Sequence, residues 1–460
     1  MKIVDIRVEV IFLVFALFFG SVFAVINPPF MAADESRHFY KAYDISQGHI
    51  IPKSSNVSIP KSFGRLMQFD PHNTSTWKPP ILKDFNNEYY NSAFNDSLNI
   101  NDTIEAIAVP VSYTPLPYFS TALVIKVGEV FNAAPLILMY LSRLLNLLIY
   151  CIIVYYGLKI VPIQKNMFLL IALMPMSLYQ AVSISQDSLN LALAIFTICY
   201  LLNLVFKKSV VSNKDILIVS LCLLGLTLSK QVYALLGLLF FIIPKEKFIN
   251  IKRRIKSFIY ILLPSGVTLF AYKTFVSLVS SSNVIPALQS RGTTIPFLFR
   301  LVNSLIYYYN LYISTFVGCF GWVTNPLPLY LVYIYLVVLI VVSVFDINIF
   351  KLEIKQKLVS IFIFVTGSIT IFYYAATSFS DSVVYTIFGV QGKYFIPFAP
   401  LFFQTLGSEK IAKYFDNYRL KNYLNVFVII FIRIMLIIST YYLWNISAST
   451  WWNFYIPDFI

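Results

Sequence analysis

The chain has 460 residues, of which 58% are hydrophobic and 12% charged, with a mean hydropathy of +0.74 and a formal net charge of +14. A soluble domain is nearer one quarter charged, so this composition excludes an ordinary soluble protein. The positive charge lies mostly in short loops between apolar runs and forms no basic patch interleaved with exposed aromatic residues, which argues against a nucleic-acid partner.

Apolar runs of membrane-spanning length recur along the chain. They predict an all-α polytopic membrane protein with about 11 transmembrane helices. With the basic loops placed in the cytoplasm, the N-terminus is expected inside and the C-terminal tail outside. The expected spans are Val8–Ile26, Leu136–Val161, Met167–Ser183, Leu189–Phe206, Ile216–Leu228, Val232–Ile243, Ile255–Val279, Leu329–Phe345, Leu358–Phe379, Phe395–Gly407 and Tyr423–Tyr442.

This topology divides the chain into five segments. They are a first transmembrane helix (1–26), an extracytoplasmic loop with interfacial helices and an acidic motif (27–135), a central bundle (136–279), a second extracytoplasmic segment (280–328), and a C-terminal bundle with an outside tail (329–460). The first apolar run is expected to be an uncleaved anchor, since no small-residue cleavage site precedes Pro28 and Pro29. The four cysteines have no paired spacing and are interpreted as small buried hydrophobes.

The first outside loop holds most of the polar chemistry. Between Asn27 and Pro110 lie nine of the 21 acidic residues and all three histidines. A helix is predicted over Asp34–Gln47, with Asp34 as its N-cap after the Pro-Pro breaker and Gly48 ending it. The aromatic stretch S-Y-T-P-L-P-Y, which contains Tyr113, is expected to begin an interfacial helix.

Within this loop, Asp34 and Glu35 are candidate catalytic carboxylates. A carboxylate beside an apolar bundle has its proton affinity raised, which suits a general base or a ligand of a divalent cation such as Mg²⁺ or Mn²⁺. Arg37 and His38 are candidate substrate-binding residues, and His38 lies within reach of Asp34 on a helix. The alternative is that Asp34 only caps a solvated helix.

Two cations lie in or beside spans. Arg143 lies about two turns into an apolar run, and Lys230 lies between two spans on the outside. Such groups are costly in hydrocarbon, and a lipid phosphate would be a suitable partner. The alternative for both is snorkelling to the headgroups. Asp187, at another outside turn, is interpreted as a helix cap.

Two later outside segments complete the candidate site. F-G-W-V-T-N-P-L-P contains Trp322, which suits stacking on a sugar ring. V-Q-G-K-Y-F-I-P contains Gln391, Lys393 and Tyr394 just before a span, where Lys393 would neutralise a phosphate. Anchoring at the membrane interface is the alternative for each segment. No Walker or Rossmann motif is present, so a lipid-linked donor is expected rather than a nucleotide.

Several motifs together resemble a known family. N-P-P-F-M-A-A-D-E-S-R-H-F-Y-K-A-Y-D-I-S-Q-G is similar to the opening signature of the bacterial membrane proteins grouped as domain of unknown function 2142. S-Y-T-P-L-P-Y, S-R-L-L-N-L-L, A-L-M-P-M-S-L, F-G-W-V-T-N-P-L-P and V-Q-G-K-Y-F-I-P follow in the family's order. The resemblance runs from Asn27 to about Pro400. Lys41 and Lys393 stand where the family more often has arginine.

The resemblance implies a relation to the GT-C glycosyltransferases. These enzymes move a sugar from a polyprenyl-phosphate carrier to an acceptor on the outer face, and they place an acidic residue just after the first span, where Asp34 stands. It therefore implies that Asp34 is the catalytic base, with Glu35 beside it. Arg143, Lys230 or Lys393 would bind the leaving polyprenyl phosphate. The expected partners are a polyprenyl-linked sugar, a cell-surface glycan and membrane lipids in a bacterial plasma membrane.

Two other functions remain open at this stage. One is a lipid-linked glycan polymerase or ligase, which would use similar outside loops. The other is a flippase or transporter of the same lipids, without catalysis. A transporter should place its ionisable groups near the middle of the membrane, whereas here they lie at the outer edge.

Overall fold

A computed structural model describes residues 7–50, 57–63, 96–106, 113–279, 295–346, 352–378, 380, 383–407 and 418–447. The described chain is mainly helical, as the composition predicts. Its described strands form only two short antiparallel ladders, one pairing Val57 with Ala106 and the other pairing Cys319 with Pro326. His72, part of the second outside segment and the predicted outside tail beyond Ser447 lie outside the described residues.

The elements follow in chain order. They are α1 (Val8–Ile26), α2 (Glu35–Ser46), β1 (Val57–Pro60), β2 (Thr103–Ala106), α3 (Phe119–Val130), α4 (Pro135–Ile160), α5 (Lys165–Ala172), α6 (Pro175–Ala181), α7 (Asp187–Phe206), α8 (Asn213–Ser229), α9 (Ile251–Val279), α10 (Phe297–Tyr307), α11 (Tyr309–Val317), β3 (Cys319–Phe320), β4 (Asn325–Pro326), α12 (Leu329–Phe345), α13 (Ile354–Ser378), α14 (Ala399–Phe403) and α15 (Tyr418–Ser447). Six described 3-10 helices join them: Lys61–Phe63, Leu116–Tyr118, Gln231–Ile242, Lys245–Lys247, Gly392–Phe398 and Gln404–Leu406.

Six described helices are long and apolar enough to cross a membrane: α1, α4, α7, α9, α13 and α15. Three shorter apolar helices, Gln231–Ile242, Phe297–Tyr307 and Leu329–Phe345, do not reach that length. The protein is thus a multi-pass helical membrane protein, and the structure bears out six full-length spans of the 11 expected. α1 and α12 begin and end at the predicted residues.

Three of the expected spans have a different form. The segment predicted as Met167–Ser183 is divided between α5 and α6, because Pro175 begins a new helix and Met174 before it is extended. Every residue of α6, and all of α5 after its first residue, is buried within the protein. The segments predicted at Val232–Ile243 and Phe395–Gly407 are 3-10 or short helices. In these three segments the apolar composition indicates burial within the protein, and it does not indicate a helix that crosses the membrane.

The core of the bundle is built around α4. Small residues allow close packing on both sides, with Gly20 of α1 against Leu147, and Gly157 facing Phe196 of α7. Tyr150 of α4 donates a hydrogen bond of 2.8 Å to the carbonyl of Ala172, which satisfies the end of α5. These contacts join α1, α5 and α7 to α4.

The first loop has a hydrophobic cluster of its own. α2 packs against α3, and Phe39, Phe63, Tyr118 and Ile125 are buried between the loop elements. The ladder of β1 and β2 closes this cluster. The loop therefore forms a small packed cap over the ends of α4 and α7.

The two ends of the bundle differ in character. At one end Glu9 pairs with Lys165 at 3.7 Å, and the Asp346 carboxylate accepts a hydrogen bond of 2.6 Å from the Asn166 backbone at the start of α5. The other end carries the cap and the start of α7. Since α8 runs from Asn213 to Ser229, next to Lys230, the basic loop around Arg253, which contacts Asn213, lies at the end opposite Lys230.

Candidate functional site

Glu35 and Arg143 form a fully buried ion pair, with both side chains 0% exposed. Arg143 donates to the two carboxylate oxygens of Glu35 from Nε at 2.9 Å and from Nη2 at 2.5 Å. It also donates to the carbonyls of Ala24, Asn27 and Pro28, which are left open where α1 ends. The pair thereby ties the end of α1 to the start of α2.

This geometry corrects the roles expected for the pair. The backbone N–H of Ile184 donates to Glu35 at 3.1 Å, so both residues are enclosed by protein and use their polar atoms within it. Neither reaches a substrate, and Arg143 faces Glu35 instead of a lipid phosphate. Glu35 and Arg143 are positioning residues.

The same contacts decide whether Asp34 and Glu35 could bind a divalent cation. An Asp34 and Glu35 site does not fit one, because Arg143 occupies both oxygens of Glu35. Within the described residues, no cluster of three or more His, Cys, Asp or Glu side chains could hold a metal ion.

Asp34 differs from the helix cap of the alternative interpretation. It occupies the N-cap position of α2, but its backbone is left-handed, with φ +60°, and its side chain makes no capping hydrogen bond. The carboxylate is half exposed and lies 3.8 Å from Arg37. A left-handed non-glycine residue is uncommon, and here the Asp34 carboxylate lies beside Arg37 in the first turn of α2 without capping the helix.

Lys230 and Lys393 both pair with the carboxylate of Asp187, a residue that the sequence analysis interpreted as a helix cap. Asp187 begins α7 and lies 3.4 Å from Lys230 and 3.3 Å from Lys393. The three side chains are 14%, 18% and 8% exposed respectively. We call these residues, together with Tyr394, the Asp187 cluster. The sequence indicated both lysines and Tyr394 as candidates, but it gave no sign that Asp187 would join them.

Tyr394 and Gly392 hold the two lysines in place. The Lys230 ammonium lies 3.8 Å from the centre of the Tyr394 ring, in a cation–π contact. The Gly392 N–H donates a hydrogen bond of 2.6 Å to the Thr315 hydroxyl oxygen. A methyl group on Gly392 would overlap the Tyr312 carbonyl oxygen. Only glycine permits the backbone to approach α11 this closely, and the approach fixes the backbone position from which the Lys393 side chain extends.

His38 lies at the edge of the cluster in a hydrogen-bonded chain. Its Nδ1 is 2.8 Å from the Tyr118 hydroxyl, which donates to Oε1 of Gln186 at 3.3 Å. A hydroxyl has one hydrogen and Oε1 cannot donate, so both contacts are hydrogen bonds only if Nδ1 of His38 carries a proton. Nε2 is then the bare acceptor of a neutral imidazole.

Electrostatics favour that neutral form. Burial lowers the pKa of His38 to about 4, although the Asp34 and Asp187 carboxylates oppose the shift. Asp34 also exerts its charge on Lys230 and Tyr394. Asp34, His38 and the Asp187 cluster therefore form one electrostatic unit at the cap end of the bundle.

The other predicted residues lie around this unit. Lys41 donates 2.6 Å to the Tyr113 carbonyl, and burial lowers the Lys41 pKa to about 7. Trp322 donates 3.0 Å from its indole nitrogen to the Phe30 carbonyl, so it braces the strained turn before α2. The amide oxygen of Gln391 is buried and makes no hydrogen bond within the described chain.

A mostly apolar groove of about 330 Å³ adjoins the site. It lies between α3, the middle of α4 and the start of α7, and Pro117 and Ser185 on its wall are the chain neighbours of Tyr118 and Gln186. Its polar wall includes Ser120, which donates 2.6 Å to Asn146. The shape suits a hydrocarbon chain whose polar end faces the hydroxyl and amide groups.

Comparison with known proteins agrees with the sequence motifs. A family model described as "Predicted membrane protein (DUF2142)" matches residues 17–402. The chain belongs to the DUF2142 family. The DUF2142 match includes every predicted site residue and Asp187, and it ends before α15. No curated protein and no solved structure matches the chain.

Proposed function

We propose that this DUF2142 protein is a GT-C-like glycosyltransferase of the bacterial plasma membrane. It moves a sugar from a polyprenyl-phosphate donor to a cell-envelope glycan on the extracytoplasmic face. The observation that carries the proposal is the Asp187 cluster, in which two nearly buried lysines share a single carboxylate. Lys230, Lys393 and Asp187 together have a formal charge of +1 at a nearly buried position, which favours an anion such as a phosphate.

The roles of the residues follow from this arrangement. Asp34, whose side chain is half exposed and makes no capping hydrogen bond, accepts the proton of the acceptor hydroxyl as the hydroxyl oxygen forms a bond to the anomeric carbon. The anomeric carbon–oxygen bond breaks, its electron pair stays on the phosphate, and Lys230 and Lys393 stabilise the leaving phosphate. A single displacement of this kind inverts the anomeric configuration. Nε2 of His38 accepts a hydrogen bond from a second hydroxyl of the bound sugar.

The test compares two carboxylates of similar exposure. Asp34→Asn should lower sugar transfer at least about 100-fold, since loss of a general base typically costs that much. Asp102→Asn is the matched control, because the Asp102 side chain is 52% exposed, lies in the same loop and pairs with Lys61 at 2.6 Å. We expect the control to keep near-normal transfer. Transfer is measured as labelled sugar incorporated by cells that carry only the variant copy, with thermal unfolding as a check of folding.

The same experiment separates the competing functions. A flippase or transporter should keep most of its flux in Asp34→Asn, because a solvated loop carboxylate does not lie on a translocation path. A polymerase or ligase should change the length or attachment of the surface glycan without losing a single sugar type. If the surface glycan of Asp34→Asn matches wild type in composition and length, the enzymatic proposal is wrong.

A further inference from the structure

Arg433 lies at the middle of a membrane-spanning helix and faces outward. α15 is apolar from Tyr423 to Trp444, and Arg433 lies ten residues from the first and eleven from the second. At 1.5 Å per residue it is about 15 Å from either end of this stretch. Its side chain is exposed, and it makes no hydrogen bond or ion pair with any described residue.

An unpaired guanidinium at this depth is costly in lipid. Snorkelling does not relieve it, because the headgroups lie further away than one side chain can extend. Charged residues in the interior of spans usually pair with an opposite charge or face a water-filled cavity. Arg433 faces outward and pairs with no opposite charge in the described part of the chain, so a partner would approach the outer face of α15.

The surface around Arg433 has the spacing of a helix-packing seam. Val426, Ile430, Ile437 and Tyr441 are exposed by 43%, 52%, 50% and 59%, and with Arg433 they recur at intervals of three and four residues. This spacing places all five side chains along one stripe of α15. The stripe fits a second transmembrane helix that crosses at a shallow angle.

A second copy of this chain cannot supply the missing charge. None of its 21 acidic residues lies in the interior of an apolar span. The acidic residues nearest to span interiors, Glu9, Asp187 and Asp215, all lie in the first turn of their helices. The anion must therefore belong to a different protein.

We propose that the exposed stripe of α15 binds a transmembrane helix of another protein, which pairs a mid-membrane aspartate or glutamate with Arg433. The interaction goes beyond sugar transfer, because α15 follows the family match, which ends at residue 402. A helix of this kind would recruit the enzyme to a second component of the same membrane.

The experiment places a photocrosslinking amino acid at Ile437, one turn from Arg433 on the stripe. In native membranes we expect a discrete crosslinked product whose mass differs from that of a dimer. Arg433→Leu should lower its yield at least tenfold, and Arg433→Lys should retain it because the charge is kept. The same crosslinker at Val337, exposed on α12, is the control and should yield lipid adducts only.

The partner must also meet a chemical criterion. Mass spectrometry of the product should identify a protein with an acidic residue inside a transmembrane segment, and its Asp→Asn or Glu→Gln variant should abolish the crosslink. Arg433→Glu combined with an arginine at the partner's acidic position should restore it. Adducts with lipid or with a second copy alone, a product that survives Arg433→Leu, or a partner without such an acidic residue overturns the proposal. Normal thermal unfolding of Arg433→Leu excludes misfolding.

Discussion

One hydroxyl hydrogen decides the chemistry of His38. Tyr118 gives its hydrogen to Gln186 and must therefore accept one from Nδ1 of His38. Because burial also disfavours the charged imidazolium, Nε2 is a bare acceptor at neutral pH. His38 is thus equipped to bind a hydroxyl group and is poorly suited to binding a phosphate.

We predict losses of different size for two substitutions in this hydrogen-bonded chain. His38→Asn keeps an N–H near the position of Nδ1 and removes Nε2, so it should fold normally and lose about tenfold in transfer, the value of one hydrogen bond. Tyr118→Phe keeps Nε2 and the ring and should lose less. Transfer of labelled sugar in membrane vesicles measures both variants. Full activity in His38→Asn would remove His38 from the substrate contacts.

At the scale of elements, the Glu35 and Arg143 pair connects α1, α2 and α4. Arg143 satisfies the carbonyls where α1 ends, and Glu35 receives the Ile184 N–H next to the start of α7. Asp34 precedes Glu35 in the chain, so this buried pair fixes the backbone position of the proposed base. The arrangement explains why adjacent carboxylates have different roles.

Breaking the buried pair should be costly. Arg143→Met leaves the Glu35 charge buried without a partner and should lower the free energy of unfolding by about 3–5 kcal/mol. The double variant Arg143→Met with Glu35→Gln should recover part of this loss, since no charge is then stranded. Thermal unfolding in detergent gives the ranking of the variants.

A solvent-exposed pair provides the control. Lys61 lies 2.6 Å from Asp102, and the two side chains are 56% and 52% exposed. Lys61→Met should change the free energy of unfolding by less than about 1 kcal/mol. Equal losses for Arg143→Met and Lys61→Met would contradict a special role for burial.

At the scale of the whole molecule, the two ends of the bundle carry different charges. The cap end gathers Asp34, His38 and the Asp187 cluster, whereas the opposite end carries basic loops such as the one around Arg253. Cytoplasmic loops favour lysine and arginine. We therefore expect the cap to face away from the cytoplasm.

Cysteine labelling tests this orientation. The four native cysteines are all buried, so they provide little background. His49→Cys, at an exposed position on the cap, should react with a membrane-impermeant maleimide in intact cells. Lys252→Cys, exposed at the opposite end, should react only after permeabilisation. The reverse pattern would put the proposed site in the cytoplasm and exclude an extracytoplasmic acceptor.

Composition and periodicity were enough to predict the membrane class and the bounds of α1 and α12. These features follow from transfer of apolar side chains into lipid, which depends on local sequence alone. The break before Pro175 was misjudged, because α5 and α6 are buried by protein and need not be long enough to cross a bilayer.

Only the tertiary structure determined which charges meet. Glu35 and Arg143 are 108 positions apart, and Asp187 joins two lysines that are 43 and 206 positions away, by difference of their residue numbers. Helical periodicity relates residues within a few turns, whereas these pairs depend on how separate helices pack. Local sequence therefore placed the charges at the ends of helices, and packing decided which are enclosed and which stay available to a ligand.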